Sequence, residues 1–290
     1  MDAILEARDL TKRYEDFTLR NVSFEVPRGS IMGFFGPNGA GKTTLMKLLA
    51  SQVPAGSGTL RVFGLSYGDR EVEIKNRIGY VPQEPGFYWG KPVRYNARYA
   101  AAFFAGWDGG RFYSLLEEVG IRREKKVKHL SRGQKTLLSL ALAFSHEADL
   151  LLLDEPAAGL DMILRRRLLD ELRAFVADGE RSVVVSSHVT DGLDQITDHV
   201  LFLDGGSLVL RAERDELLSR WKRIHFKEGA LEPGVARALL DVRKHPFGSS
   251  GLCADFPALR AQLEPAMASG DVRVENVGLD DILVALVKGA

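Results

Sequence analysis

One cysteine, Cys253, stands in a chain of 290 residues. No disulfide can form within the chain, and a reducing compartment is expected. Such a lone thiol reads as a small buried apolar residue. Charge of one sign is not in excess, since 39 Lys and Arg residues balance 39 Asp and Glu. That balance argues against a polyanion-binding surface and gives no nucleic-acid partner. No apolar run approaches the roughly twenty residues needed to cross a bilayer; the best candidate, 137–144, is much too short. The opening Met1-Asp2-Ala3-Ile4-Leu5-Glu6 lacks the basic segment and apolar run of a signal peptide. A soluble chain is expected, whose place at any membrane would come through a partner. Internal repeats and low-complexity segments are also missing.

What is present begins with Gly36-Pro37-Asn38-Gly39-Ala40-Gly41-Lys42-Thr43-Thr44, a full match to the phosphate-loop pattern G-x-x-x-x-G-K-[ST]. Ser30–Phe35 before it reads as a short buried strand, and Thr44–Ala50 after it has helical leucine spacing. Glycines let backbone wrap closely around phosphates, and free N–H groups at the helix start attract an anion. Gly36, Asn38, Gly39, Gly41 and Thr44 are therefore expected in the nucleotide site. Lys42 would reach the β- and γ-phosphates, and the Thr43 hydroxyl would ligate Mg²⁺.

Apolar runs of strand length alternate with helical patterns as far as residue 220. Ile4–Leu10, Thr18–Val26, Leu60–Phe63 and Ile78–Val81 read as strands. Leu150–Leu153 and Val183–Ser186 are solid apolar runs of the kind covered on both faces. Arg165–Ala177 keeps helical spacing, with Leu168, Leu169, Leu172 and Val176 on one side. Gly205-Gly206 predicts a hairpin between Val200–Leu203 and Leu208–Leu210. Residues 84–146 form a helical insert rich in aromatics. After Trp221, strands at Arg223–Phe226, Gly251–Ala254 and Val272–Glu275 and helices at Ala236–Val242, Ala258–Ala268 and Asp280–Val287 predict a small tail domain. The expected fold is an α/β P-loop NTPase mixed sheet. It carries an N-terminal antiparallel β-subdomain, the inserted helical subdomain (84–146) and a small C-terminal α/β domain (221–290) after a nucleotide-binding domain (1–220).

The apolar strand Leu150–Leu153 ends in Asp154-Glu155. A phosphate loop needs such a neighbour, because its metal ion must be held by a carboxylate from an adjacent strand. Asp154 suits that role, and Glu155, one position on, can polarise an attacking water.

With these residues in place, 1 to about 220 resembles the ATP-binding cassette family. Leu130-Ser131-Arg132-Gly133-Gln134-Lys135 looks like its signature, about twenty residues before Asp154. Gln83 matches the glutamine loop, Ala157-Ala158-Gly159-Leu160-Asp161 the loop that crosses the dimer interface, and His188 the switch histidine. Tyr14 fits the aromatic that stacks on adenine. The resemblance implies ATP and Mg²⁺ as cofactors, with Gln83 on the metal or attacking water and His188 on the γ-phosphate. It also implies that Ser131, Gly133 and Gln134 close on ATP held by a second copy, in a homodimer or with a second ATP-binding subunit. Ser131 is a good N-cap for a helix over Arg132–Phe144, whose positive end would face that anion. Arg132 stands where the family often has glycine. It would either neutralise charge on the opposing phosphate or face solvent on the first helical turn.

The resemblance further implies a transporter subunit at the cytoplasmic face of the membrane, bound to separate membrane (permease) subunits. The layout looks more like the exporter branch than an importer. Ten aromatics between Phe87 and Tyr113 mark the insert as the expected docking element, with about two-thirds of them in its own core. Exposed ones are expected among Phe87, Tyr88 and Trp89. The basic run Arg122–His129 reads as a solvated face, with anionic lipid headgroups as the other reading. A soluble cassette ATPase of an assembly or repair system is the alternative. A guanine-reading Asn-Lys-x-Asp is absent from the sequence, which argues against a switch GTPase.

Overall fold

The computed structural model describes residues 2–187 and 192–288, so the expected switch residue His188 lies outside the described residues. The chain divides into two compact units, Met1–Thr197 with Leu203–Leu208 and Asp198–Phe202 with Val209–Ala290.

The first unit opens with β1 (Ala3–Arg13) and β2 (Thr18–Pro27), an antiparallel pair. In β2 Val22, Phe24 and Val26 point inward at the two-residue period of a half-buried strand. Next come β3 (Ile31–Phe35) and α1 (Lys42–Leu49). β4 (Ser57–Val62) pairs with the other edge of β1 and turns into the short β5 (Leu65–Ser66), completing a sheet in the order β2-β1-β4-β5. α2 (Tyr67–Asn76), which had no counterpart in the sequence reading, leads into β6 (Ile78–Val81).

The insert holds α3 (Val93–Ala101), α4 (Gly109–Glu118) and α5 (Arg132–Phe144) around a core of Val93, Phe112, Leu116, Ile121, Val127 and Leu138. β7 (Leu150–Asp154), α6 (Met162–Val176) and β8 (Ser182–Ser187) follow. The buried side of α6 is Leu168, Leu169, Leu172 and Phe175; Val176, expected there, is half-buried. Phe175 takes the place because i, i+4 and i+7 from Leu168 (Leu172 and Phe175) share a helix face. Strands β3, β8, β7 and β6 lie side by side, all parallel, with Gly33 opposite Val185, Leu152 opposite Val184 and Gly79 opposite Leu151. Every residue of β3, β7 and β8 is buried. The hairpin of β9 (His199–Asp204) and β10 (Ser207–Glu213) turns at Gly205-Gly206, and its residues 203–208 bring antiparallel backbone into the first unit. There Gly206 N–H donates to Ala40 O at 3.1 Å.

In the second unit α7 (Arg214–Arg220) precedes β11 (Lys222–Phe226), α8 (Pro233–Arg237), β12 (Leu240–His245), β13 (Gly248–Cys253), α9 (Phe256–Ala268), β14 (Val272–Asn276) and α10 (Leu279–Lys288). β11 to β14 form an antiparallel sheet in the order β12-β13-β11-β14, a split βαββαβ topology. Its core gathers Ile224, Val235, Leu239, Leu263 and Val272 with the buried Cys253. The helix expected over Ala236–Val242 is instead the end of α8 followed by β12. Ala236, Leu239 and Leu240 mimic helical spacing. The register shift between Leu240 and Arg243, with Asp241 at φ 46°, hides the alternation that would reveal an edge strand. Among the described residues no helix is long and apolar enough to cross a membrane.

Candidate nucleotide site

The parallel strands bring their C-terminal ends to one edge, the place where open α/β sheets bind ligands. The phosphate loop leaves β3 there, Gln83 follows β6, Asp154 ends β7, and Ser186-Ser187 end β8. α1 starts from Gly41, whose φ of 107° closes the loop against Phe17; a β-carbon would come within 2.9 Å of that ring. Lys42, the first residue of the helix, is buried, and its Nζ donates to the carbonyls of Gly36 at 2.7 Å and Pro37 at 3.0 Å. Burial pushes the ammonium below its ordinary pKa, while the charges of Glu155 and Asp154 act upward.

Asp154 is 1% exposed. Its Oδ1 accepts from Ser186 Oγ at 2.6 Å, and the Thr43 hydroxyl also hydrogen-bonds to the carboxylate. Oδ2 is buried with no hydrogen-bond partner. Burial raises the Asp154 pKa, against the downward pull of the Ser186 and Thr43 bonds. A buried carboxylate oxygen left open beside a hydroxyl, at the mouth of a phosphate loop, is a donor set that fits a hard divalent cation. Among the described residues no cluster of three or more His, Cys, Asp or Glu could hold a metal. An ion here would complete its shell with phosphate and water oxygens, as Mg²⁺ does in such sites.

Glu155 has a left-handed backbone, φ 52°, unusual for a residue with a side chain. Its N–H is fixed by Ser186, donating to the carbonyl at 3.2 Å and to Oγ at 3.0 Å. That turn aims the side chain at Gln83, whose Nε2 donates to Glu155 Oε2 at 3.0 Å. Ser186 thus orders both carboxylates. The sequence reading takes Ser186 only as the end of the Val183–Ser186 strand.

A cleft of about 400 Å³ joins these groups, lined by Tyr14, Asn38, Gly39, Gly41, Lys42, Thr43, Thr44, Gln83 and Glu155. Phe17, also missed, lines it beside the exposed Tyr14. Gly36 lies buried at the start of the loop and does not line the cleft.

Ser131, Gly133 and Gln134 stand apart from this lining. Ser131 caps α5 in a reciprocal box: Gln134 N–H donates to Ser131 Oγ, and Ser131 N–H to Gln134 Oε1, both at 3.2 Å. Gly133 lets the helix start rest on the 157–161 loop, since a β-carbon there would lie 2.7 Å from Gly159 O. Arg132 is exposed, and its stem lies beside Gly159.

Five of the ten aromatics between Phe87 and Tyr113 are exposed, more than expected: Tyr88, Trp89, Tyr95, Tyr99 and Phe103. Phe87 instead packs on the insert's core. Tyr88 meets Tyr95 and Tyr99 edge to face, with centroids 5.6 and 5.0 Å apart, and Tyr99 meets Phe103 at 5.1 Å. The i, i+4 spacing of Tyr95 and Tyr99 puts them on one side of α3, and Phe103, just past its end, continues the ladder.

Comparison with known proteins agrees with this geometry. Residues 19–158 match the ABC transporter family. The bacitracin transport ATP-binding protein BcrA of Enterococcus faecalis is 34% identical over 253 residues, covering 84% of this chain and 80% of that protein. A solved ATP binding subunit of an ABC transporter superposes with a TM-score of 0.67 at 25% identity, covering 74% of this chain and 92% of that one. A dimeric ATP-binding cassette in a post-hydrolysis state, bound to ADP and Pi, shares the fold with a TM-score of 0.65 at 19% identity, covering 72% and 98%. Phosphate loop, acidic strand end, capped signature helix and overall similarity converge on one conclusion: this chain belongs to the ATP-binding, ATP-hydrolysing subunits of ABC transporters.

Proposed function

We propose that this chain pairs with a second copy, or with a second ATP-binding subunit, around two ATP molecules and drives export through separate membrane subunits at the cytoplasmic face of the membrane. The observation that carries the reading is the Gln83–Glu155 hydrogen bond inside the phosphate-loop cleft. It ties the carboxylate best placed to polarise water to the segment that runs into the insert. The likeness to a bacitracin transport ATP-binding protein supports a role in transport.

In this reading Lys42 exchanges its bonds to loop carbonyls for the β- and γ-phosphates, and the loop N–H groups of 38–44 hold the remaining phosphate oxygens. Tyr14, exposed at the cleft, supplies a face for adenine. Thr43 and Asp154, with Gln83 nearby, would hold Mg²⁺, which neutralises phosphate charge. Glu155 accepts a proton from the attacking water, and His188 contacts the γ-phosphate. The Ser131–Gln134 tip, at the positive end of α5, closes on ATP bound to the other copy. Differential affinity of the closed dimer for ATP over its products converts binding and hydrolysis into motion. The aromatic ladder of Tyr88, Tyr99 and Phe103 receives the membrane subunit, because desolvated aromatics make strong anchors.

Glu155→Gln tests the reading. It keeps size and removes the base, so turnover should fall roughly 10²-fold or more, while ATP binding survives and an ATP-bound dimer accumulates on size exclusion. Near-normal hydrolysis by this variant would overturn the assignment.

A further inference from the structure

The basic run 122–129 is unexplained by the nucleotide site, and its backbone is not free. It runs alongside the loop that follows Gln83. Lys128 N–H donates to Trp89 O at 2.9 Å, Val127 N–H to Lys91 O at 3.1 Å, and Val93 and Arg94 N–H to the carbonyls of Lys125 and Arg123, both at 3.0 Å. Three residues after Lys128 stands Ser131, the cap of the signature helix. The run is therefore a strap between the exposed aromatic patch and the signature.

Side chains continue the link. Lys125 Nζ donates to Gln134 Oε1 at 3.2 Å, the same oxygen that accepts the Ser131 N–H. Lys135, the next residue of the signature helix, places its ammonium 4.7 Å from the centre of the Trp89 ring. Trp89 itself is 46% exposed and meets Phe87 edge to face, so it belongs at once to the patch and to the insert's packing. One aromatic thus touches the strap through its carbonyl and the signature helix through its ring.

We propose that Trp89, through Lys135, and Lys125, through Gln134, are positioning residues that set the orientation of the Ser131–Gln134 tip for closure on the second copy. This rests on the shared-site reading above. It also accounts for lysine rather than any polar residue at 125 and 135. An ammonium can hold a carbonyl oxygen already engaged by a backbone N–H, and it can sit over an indole face. A membrane subunit seated against Trp89 would then act on the signature through two contacts already made.

The test uses the full chain carrying Glu155→Gln, so that ATP-bound dimers accumulate, with Trp89→Leu, Lys135→Met, their combination, Lys135→Arg and Lys125→Met added. Sedimentation with saturating Mg-ATP reads dimerisation, and titration of dilute protein with a fluorescent ATP analogue reads monomer affinity. Trp89→Leu and Lys135→Met should each weaken dimerisation roughly 3-fold, the scale of one exposed cation–π contact. The double variant should lose no more than either single one. Lys135→Arg should restore the parental value, Lys125→Met should also weaken dimerisation, and monomer affinity should stay constant throughout. Unchanged dimerisation, multiplied losses in the double variant, or monomer affinity falling in parallel would each overturn the proposal. Lys135→Met alters only a partly exposed side chain, so the result stands even if Trp89→Leu folds poorly. A Glu155→Gln parent that stays monomeric with ATP would overturn the shared site itself, and the positioning role with it.

Discussion

Gln83 donates to Glu155 across 3.0 Å, although 72 positions separate the two residues in sequence. The strands that carry them to this point, β6 and β7, are parallel neighbours, with Val81 opposite Leu153. Any movement of the loop after β6 therefore reaches the candidate base directly. Gln83→Ala should lower kcat about 10-fold while leaving nucleotide affinity nearly unchanged, because it frees the carboxylate without removing it. Gln83→Glu should cost more, by setting a like charge beside Glu155. Steady-state ATPase kinetics with a binding titration would check both.

Lys42 Nζ donates to both the Gly36 and the Pro37 carbonyl of the loop. Lys42→Ala should reduce affinity for a fluorescent ATP analogue by about 10-fold or more and reduce turnover as well. Unchanged affinity at moderate salt would contradict the phosphate-loop assignment.

Asp154 is arranged for a ligand at a cost to the empty protein. Its folded pKa lies above the ordinary value because of burial. The ionised form is thus the disfavoured one, and its cost grows as pH rises above the ordinary carboxylate range, becoming complete above the folded pKa. Asp154→Asn should raise the melting temperature by about 2 °C or more in chelator without nucleotide. The same substitution should abolish Mg-ATP-dependent stabilisation and turnover.

His146 links the end of the signature helix to β6. Its ring stacks on Phe104, and its two nitrogens face the carbonyls of Leu142 at 3.3 Å and Ile78 at 3.1 Å. Burial pushes its pKa down, against the upward pull of those carbonyls. Below the ordinary histidine value of about 6.5 the unfolded chain takes a proton that the fold resists, so stability should drop as pH falls through that value. Urea midpoints at about pH 7.5 and about pH 5.5 should show a larger loss for the parent than for His146→Gln. Equal losses would show that the ring accepts its proton without penalty.

Local chemistry was legible in the sequence where a short segment decides its own structure. The phosphate loop fixes the start of α1, and Ser131 fixes α5, which spans Arg132–Phe144 as expected. The bridge from Gln83 to Glu155, the role of Ser186 and the pairing of 123–128 with 89–94 were not legible. Each depends on which distant strands or loops become neighbours, and no local period encodes that. β12 was misread for a related reason. Its pairing to β13 breaks register between Leu240 and Arg243, so its own pattern carries no alternation. The exposed aromatics exceeded expectation because composition alone does not separate a core from a docking surface.

The shared site is the central claim, and mixing two inactive chains tests it most directly. Ser131→Arg places bulk and charge at the signature tip, and Glu155→Gln removes the base in the other half of the site. If each site joins the phosphate loop and Glu155 of one copy to Ser131 of the other, a mixed dimer has one site with both lesions and one with neither. ATPase rate would be measured against mixing ratio at concentrations where dimers form, with the membrane subunits present. The account predicts two nearly inactive homodimers and a maximum near equal proportions. Hydrolysis at the parental rate by the Ser131→Arg protein alone would contradict it.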